Sequence, residues 1–371
     1  MGRKKRSPEE SGNNSDKKYQ APIHIVAVGA SAGGLEAIES FFVNMPADSG
    51  LGFVVIQHLS PDYKSLMVEL LSKKTDMKVQ RAEDGMLVLP DNVYLIPPKK
   101  NLTIFHGKLL LSEQDHSRGI NLPIDIFLRS LAEDAGEKSV AIILSGTGSD
   151  GTRGVRSIKE CGGMVMVQSE ESAKFDGMPK AAASTGLCDF ILPPEKMPVQ
   201  LLAYVKHPHM VKASKVENNL ADDDDMTRLF ALLREKGKVD FTFYKPSTVM
   251  RRIERRMTIN NCDTIKEYTT YLQSNPGEIM VLFRELLIGV TGFFRDQASF
   301  TRIGDEFLPA IVETPGKREI RLWSAGCSTG EEAYSMAILL REAIDRSGSN
   351  FDVKIFATDI DKDAIQYAAA G

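Results

Sequence analysis

Ile25-Val26-Ala27-Val28-Gly29-Ala30-Ser31-Ala32-Gly33-Gly34-Leu35-Glu36 is the stretch from which the N-terminal half can be read. An apolar, β-branched run stops at a glycine-rich turn carrying one serine. An amphipathic segment then places Leu35, Ile38, Phe42 and Met45 on one face before Pro46. The pattern predicts strand, tight turn and helix. Glycines at 29 and 33 let the backbone bend where a Cβ would clash, which puts the Ser31 hydroxyl at the tip, at a helix N-terminus. A serine there is either a nucleophile or a phosphate contact.

Outward from this corner, short apolar runs alternate with helical periodicity up to about residue 206. Strands are predicted at 53–56, ending at Gln57-His58, at 93–96, halted by Pro97-Pro98, at 140–144 and at 164–167. A helix with Leu66, Leu70 and Leu71 and another with Val155 and Ile158 fall between them. Residues 102–105 and 108–111 around His106-Gly107 predict an antiparallel hairpin added to the sheet. The fold class is α/β, a doubly wound, mostly parallel sheet.

Residues 1–20 are polar and carry a basic tetrad at 3–6, the composition of a disordered tail. Periodicity disappears again over 207–225, where Asp222 to Asp225 precede a helical pattern, so this stretch is predicted as a linker. Residues 226–300 predict a small all-α module. A second strand–turn–helix unit occupies 301–371, with strand 320–323, turn 324–330, helix 331–344 and strand 353–357 before Asp359.

In bulk, 371 residues with 42% hydrophobic content suffice for two or three cores. A formal charge of −4 argues against a nucleic-acid binder, and no apolar run reaches the roughly 18 residues of a membrane helix. The four cysteines lie far apart without metal-ligand spacing, so a reducing, cytoplasmic setting and no metal centre are expected.

Gly29-Ala30-Ser31-Ala32-Gly33 satisfies G-x-S-x-G, although such turns also bind phosphates. A dinucleotide site would want an acid at the end of the second strand, and the chain has Gln57-His58 there. An imidazole near neutral pH is the natural base for a serine, so His58 is the candidate partner of Ser31. Asp150, beyond the end of a third strand, is either a turn or capping aspartate or the carboxylate that orients His58. Three strand ends would then deliver nucleophile, base and orienting acid to one edge of an open sheet.

Residues 21–206, through GASAGG, VVIQH, DGMLVLPDNVYLIPP, ILSGTGSDGTRG and GMPKAA, resemble the catalytic domain of the chemotaxis receptor methylesterase family, CheB. The resemblance implies that Ser31, His58 and Asp150 are the catalytic triad. It also implies that the substrate is a glutamate γ-methyl ester on a methyl-accepting chemotaxis receptor or similar signalling protein, that glutamine deamidation is possible, and that the esterase needs no cofactor. Two positions depart from many members of that family, Ala32 where threonine is usual and Thr147 where methionine is usual.

Residues 241–257 with their arginine cluster, 287–296, and 323–332 followed by Asp359 resemble the receptor glutamate O-methyltransferase family, CheR. Taken alone, the arginines read as a solvated face or as a dock for an acidic receptor segment. The resemblance implies an S-adenosylmethionine site with Thr291, Arg295, Glu332 and Asp359 as contacts, Glu331 being the other candidate for the position of Glu332. A transferase sheet needs more strands after Asp359, so residues 1–371 alone are expected not to methylate. The reading is a CheB–CheR-type fusion, with a non-catalytic signalling scaffold of the same fold as its alternative.

Overall fold

A computed structural model of the chain describes residues 21–57, 67–114, 121–206, 224–314, 319–348 and 350–371. The chain divides into two compact units, Met1–Val205 and Lys206–Gly371. The tail at 1–20, His58, Leu66 and nearly all of the expected linker lie outside the described residues.

In the first unit the elements run β1 (Ile25–Ala30), α1 (Gly34–Val43), β2 (Gly52–Gln57), α2 (Met67–Ser72), β3 (Lys78–Arg81), β4 (Met86–Leu87), β5 (Asn92–Leu95), β6 (Lys100–Phe105), β7 (Lys108–Glu113), α3 (Pro123–Ala135), β8 (Ser139–Ile143), α4 (Thr152–Glu160), β9 (Met164–Gln168), α5 (Gly177–Ala183), β10 (Phe190–Leu192) and α6 (Met197–Lys206). Seven strands form one sheet in the order β10-β9-β8-β1-β2-β5-β3. Every pairing in it is parallel. Parallel sheets are covered on both faces, which is why β1, β8 and β9 are buried at every position and read as continuous apolar runs. Alternate residues serve opposite layers. Ala27, Ile56 and Ile143 pack with Ile124, Phe127 and Leu128 of α3 and with Val155 and Ile158 of α4, while Phe53 meets Phe41 and Phe42 of α1 edge-on at 6.1 and 5.3 Å.

Two features differ from the sequence expectation. The hairpin β6–β7 does not join the main sheet; with β4 it makes a separate three-stranded antiparallel sheet. Pro97 and Pro98 lack N–H donors and Lys99 sits at φ 60°, so the ladder ends and the chain turns away. The hairpin turn itself is as expected, with His106 and Gly107 both left-handed at φ 49° and 72°. The carboxylate of Asp134 on α3 accepts both of their N–H groups. The edge strands β3 and β10 went unforeseen, because Lys78-Val79-Gln80-Arg81 has no apolar alternation and Phe190–Leu192 is only three residues long.

The second unit begins with α7 (Asp224–Gly237), α8 (Pro246–Ile259), α9 (Ile265–Ser274) and α10 (Pro276–Leu287), packed around Leu229, Leu233, Ile253, Tyr268, Leu272 and Leu282. The helix α11 (Gln297–Arg302) continues through a π-turn at Ile303–Phe307 into α12 (Leu308–Val312). Then come β11 (Glu319–Ala325), α13 (Glu331–Ser347), β12 (Asp352–Thr358) and α14 (Lys362–Ala370).

The arginine cluster belongs mainly to the interior of this helical module. Arg252, Arg255 and Arg256 are buried, at 8, 7 and 4% exposure. They occupy the stripe that also carries Val249 and Ile253, so the helix period turns them inward. Arg256 makes a two-pronged contact with Glu278 at 2.8 and 2.6 Å, and that carboxylate also accepts from Tyr268 Oη and Asn260 Nδ2. Arg255 pairs with Glu285, and Arg252 donates to the carbonyls of Glu285 and Ile288. These charges pin α8 to α10; neither a solvated face nor a receptor dock describes them.

Candidate functional site

Register brings the first corner to the edge of the sheet. Ala30 lies opposite Gln57, and Gly29 opposite Ile143, so the described ends of β1 and β2 lie at the same level. His58 itself is outside the described residues. The chain moves from β1 toward β2 on one side and from β8 toward β9 on the other, so the carboxyl ends of β1 and β8 flank the topological switch point. Open α/β sheets place ligands at that crevice.

The expected bend at Gly29 is corrected: Gly29 is inside β1, where a Cβ would come 2.7 Å from Ile124 Cγ2. Close approach of α3 requires glycine there. The bend is made at Gly33, with φ 69°, and α1 starts immediately after it. Ser31, half-buried, donates its N–H to Ser145 O at 3.0 Å and accepts from Gly34 N–H at 2.9 Å.

The loop after β8 is built into this corner. Ser145 is 1% exposed, its hydroxyl lies 3.0 Å from Ala32 O and 3.2 Å from Phe175 O, and its N–H donates to Gln168 Oε1 at 2.8 Å. Gly146 donates to Phe175 O at 3.0 Å and accepts from Met178 N–H at 2.9 Å. A Cβ on Gly146 would sit 2.2 Å from Met178 Sδ and 2.9 Å from Ser31 Cβ. The GMPKAA segment therefore braces the loop that lies against Ser31. Ser145 and Met178 were not singled out in the sequence, where a serine after a strand and a helical methionine carry no distinctive signal.

Asp150 is 2% exposed. Its Oδ1 accepts from Asp125 N–H at 2.9 Å and its Oδ2 from Ile124 N–H at 3.1 Å. It is thus a capping aspartate, but for α3, not for α4, the helix that follows it. The positive end of α3 and two N–H donors fix the carboxylate's orientation. Sequence reading also missed Asp125, which is 4% exposed and accepts from Gly154 N–H in the first turn of α4 at 2.7 Å. Its Oδ2 is buried without a hydrogen-bond partner. Burial foremost, and then the charge of Asp150, push the Asp125 carboxyl above its ordinary range against the opposing pull of Gly154 N–H. An acid two residues past a helix-opening proline is too common a pattern to have marked it.

In the second unit the corresponding corner follows β11, which pairs in parallel with β12. Gly330 turns it, with φ 96°, and α13 begins. Asp359, at the end of β12, accepts from Ser328 N–H at 2.7 Å and from Asp361 N–H at 2.9 Å. Glu332 accepts from the Ser324 hydroxyl at 2.7 Å, whereas Glu331 accepts from Thr329 at 2.6 Å. The segment carrying Thr291 and Arg295 is brought against the same turn, because a Cβ on Gly289 would lie 2.7 Å from Ser328 Oγ and Phe294 N–H donates to Ser335 Oγ at 3.0 Å. Thr291 is half-buried; the guanidinium of exposed Arg295 donates to Val290 O. A carboxylate offers about four acceptor positions, so Asp359 retains capacity for hydroxyl donors beyond its two backbone partners.

Among the described residues no helix is long and apolar enough to cross a membrane, and no group of three His, Cys, Asp or Glu side chains could hold a metal ion.

Comparison with known proteins gives three family matches in series. CheB methylesterase matches residues 26–201, the all-alpha domain of CheR methyltransferase matches 224–287, and the SAM binding domain of CheR methyltransferase matches 289–371. The chain is similar to the "Uncharacterized 104.1 kDa protein in hypE 3'region" of Rhodobacter capsulatus, 38% identical over 327 residues that are 82% of this chain and 34% of that protein. It is also similar to the "Protein-glutamate methylesterase/protein-glutamine glutaminase" of Thermotoga maritima, 32% identical over 185 residues, 49% of this chain and 54% of that protein. A solved structure titled "Crystal structure of Thermotoga maritima CheB methylesterase catalytic domain" aligns at TM-score 0.45 and 32% identity, covering 48% of this chain and 97% of that one. The chain thus spans about half the length of the Thermotoga relative and about a third of the Rhodobacter one.

Proposed function

Since the chain belongs to the CheB methylesterase family followed by the two CheR methyltransferase domains, a CheB–CheR fusion, we propose that its first unit hydrolyses glutamate γ-methyl esters on a methyl-accepting receptor or related signalling protein. Ser31 Oγ attacks the ester carbonyl while His58 takes its proton, and Asp150 holds the imidazole in the reactive tautomer. Collapse of the tetrahedral intermediate expels methanol, to which His58 returns the proton. Water, deprotonated by the same imidazole, then releases the glutamate carboxylate and restores Ser31. The same sequence on glutamine would expel ammonia, the reaction named in the printed title of the Thermotoga relative. The N–H groups of Ser31 and Gly146 are spent on Ser145 O and Phe175 O, so the oxyanion donors in this proposal are the next two, those of Ala32 and Thr147. Backbone donors make the side chains at 32 and 147, where the chain departs from many family members, secondary.

The observation that supports the reading is that half-buried Ser31 follows β1 and buried Asp150 lies in the loop after β8, adjacent parallel strands whose carboxyl ends flank the switch point. Methanol release from a methylated receptor fragment tests it. Ser31→Ala is expected to lower kcat by at least about 10³-fold, and an unchanged rate would end the proposal.

For the second unit we propose that the corner after β11 holds S-adenosylmethionine, with Asp359 on the ribose hydroxyls and Glu332, Thr291 and Arg295 as further contacts. When bound, the cofactor supplies an electrophilic methyl group. A glutamate is ionised near neutral pH, so the protein's share is to aim its carboxylate at that methyl. Calorimetric titration of the chain with S-adenosylmethionine tests this reading, and absence of binding would refute it.

A further inference from the structure

Asp150 and Asp125 are arranged as an exchange. Asp150, which precedes α4, places both carboxylate oxygens on the N-terminus of α3, at 3.1 Å from Ile124 N and 2.9 Å from Asp125 N. Asp125, in the first turn of α3, returns a carboxylate oxygen to the first turn of α4, at 2.7 Å from Gly154 N. Each acid satisfies backbone donors that its partner's helix would otherwise leave orphaned. The helices are pressed together at this point, since a Cβ on Gly154 would be 2.4 Å from Leu128 Cβ. The three bonds therefore clamp residues 150–154, and the carboxylate at 150, to the start of α3.

Asp125 sits beside the like charge of Asp150, with Arg153 and the backbone of Gly154 and Gly151 opposing that repulsion. Its hydrogen bond to Gly154 ties the first turn of α3 to the segment that follows Asp150.

We propose that Asp125 is a positioning residue of the esterase: by holding the start of α4 it fixes the aim of Asp150, and so acts on the reaction through Asp150 alone. The inference rests on Asp150 orienting the catalytic imidazole. Asp125 does not touch substrate.

The experiment measures methanol release from a methylated receptor fragment by the full chain, with kcat and KM resolved, for Asp125→Ala, Asp125→Asn, Asp150→Ala and the double variant Asp125→Ala/Asp150→Ala. Asp125→Ala is expected to lower kcat about 10- to 50-fold with KM within twofold. Asp125→Asn keeps an acceptor for Gly154 N–H and is expected to restore kcat to within about threefold of wild type. In the Asp150→Ala background, Asp125→Ala is expected to change kcat by less than twofold, because the group through which it acts is gone. A full, multiplicative loss in the double variant would overturn the proposal while leaving the triad intact. An unchanged kcat in Asp150→Ala alone would overturn the triad, and this inference with it. If Asp125→Ala does not fold, Asp125→Ser, too short to reach Gly154, replaces it in both backgrounds under the same expectations.

Discussion

The corners after β1 and after β11 share one local design, a parallel strand, a left-handed glycine and a helix, yet they present different chemistry. β1 has hydrogen-bonded neighbours on both sides and no exposed position, and the loop after its neighbour β8 carries a buried acid. Among the described residues β11 pairs only with β12, whose end offers Asp359, already tied to the N–H of Ser328. In the first corner the tip residue is a half-buried hydroxyl braced by a second loop; in the second it is backbone held open by an acid. A turn of this kind supplies a position, and the adjacent strand end supplies the side chains that stand beside it.

The sharpest way to break this contrast is to treat the two turn serines alike. Ser31→Ala is expected to abolish methanol release as given above, whereas Ser328→Ala should leave it within twofold, both read in the same assay.

Next in size is the close packing of the first corner. Gly146→Ala forces a methyl between Met178 Sδ and Ser31 Cβ and is expected to cost about 2–3 kcal/mol of stability, with at least tenfold in kcat. Gly326→Ala, at φ 76° with open space around it, is expected to cost only about 1 kcal/mol of backbone strain. Calorimetric transitions of the two variants would show whether only the first corner is tightly packed.

Acid should also separate the units. His24, at the entrance to β1, is 3% exposed with both ring nitrogens unpartnered, and burial foremost, assisted by the charge of Lys138, lowers its pKa from 6.5 to about 4. Between those values the unfolded chain binds a proton that the folded state refuses, so stability falls as pH drops from 6.5 to 4 and is fully present above 6.5. The loss is on the order of 3 kcal/mol. The described part of the second unit contains no histidine. Hydrogen exchange of the β1 amides should accelerate at pH 4.5 relative to pH 7 beyond the intrinsic change, and His24→Phe should remove most of that difference.

The smallest expected effect belongs to the second corner. Asp359→Asn keeps an acceptor for Ser328 N–H but removes the charge, and should weaken S-adenosylmethionine binding about tenfold by calorimetric titration while leaving methanol release unchanged.

Much of this was legible in the chain. The unbroken apolar runs of β1, β8 and β9 announced a parallel sheet buried on both faces, and the glycine-rich turn with Ser31 announced a corner at its edge. The hairpin sequence around His106-Gly107 was equally plain, but its place outside the main sheet depended on Pro97, Pro98 and the left-handed Lys99 diverting the chain. Gly29 was recognised as necessary for the wrong reason: it admits Ile124, a residue 95 positions away, and does not bend the turn. The buried arginines of α8 looked like surface because arginine usually is surface; their acceptors on α10 lie 22 to 33 residues further on.

The sequence by itself therefore determined the local pieces: where strands end, which turns carry a serine or an acid, and that two such corners exist in one chain. Period, turn chemistry and residue type are properties of a few consecutive residues, and they survive without the fold. Only the tertiary structure decided which distant groups those pieces meet. Asp150 caps a helix that begins 27 residues before it, Asp125 answers it across two packed helix ends, and Met178 fills the space that keeps residue 146 a glycine. Such pairings come from the packing of elements remote in the chain, and no local pattern encodes them.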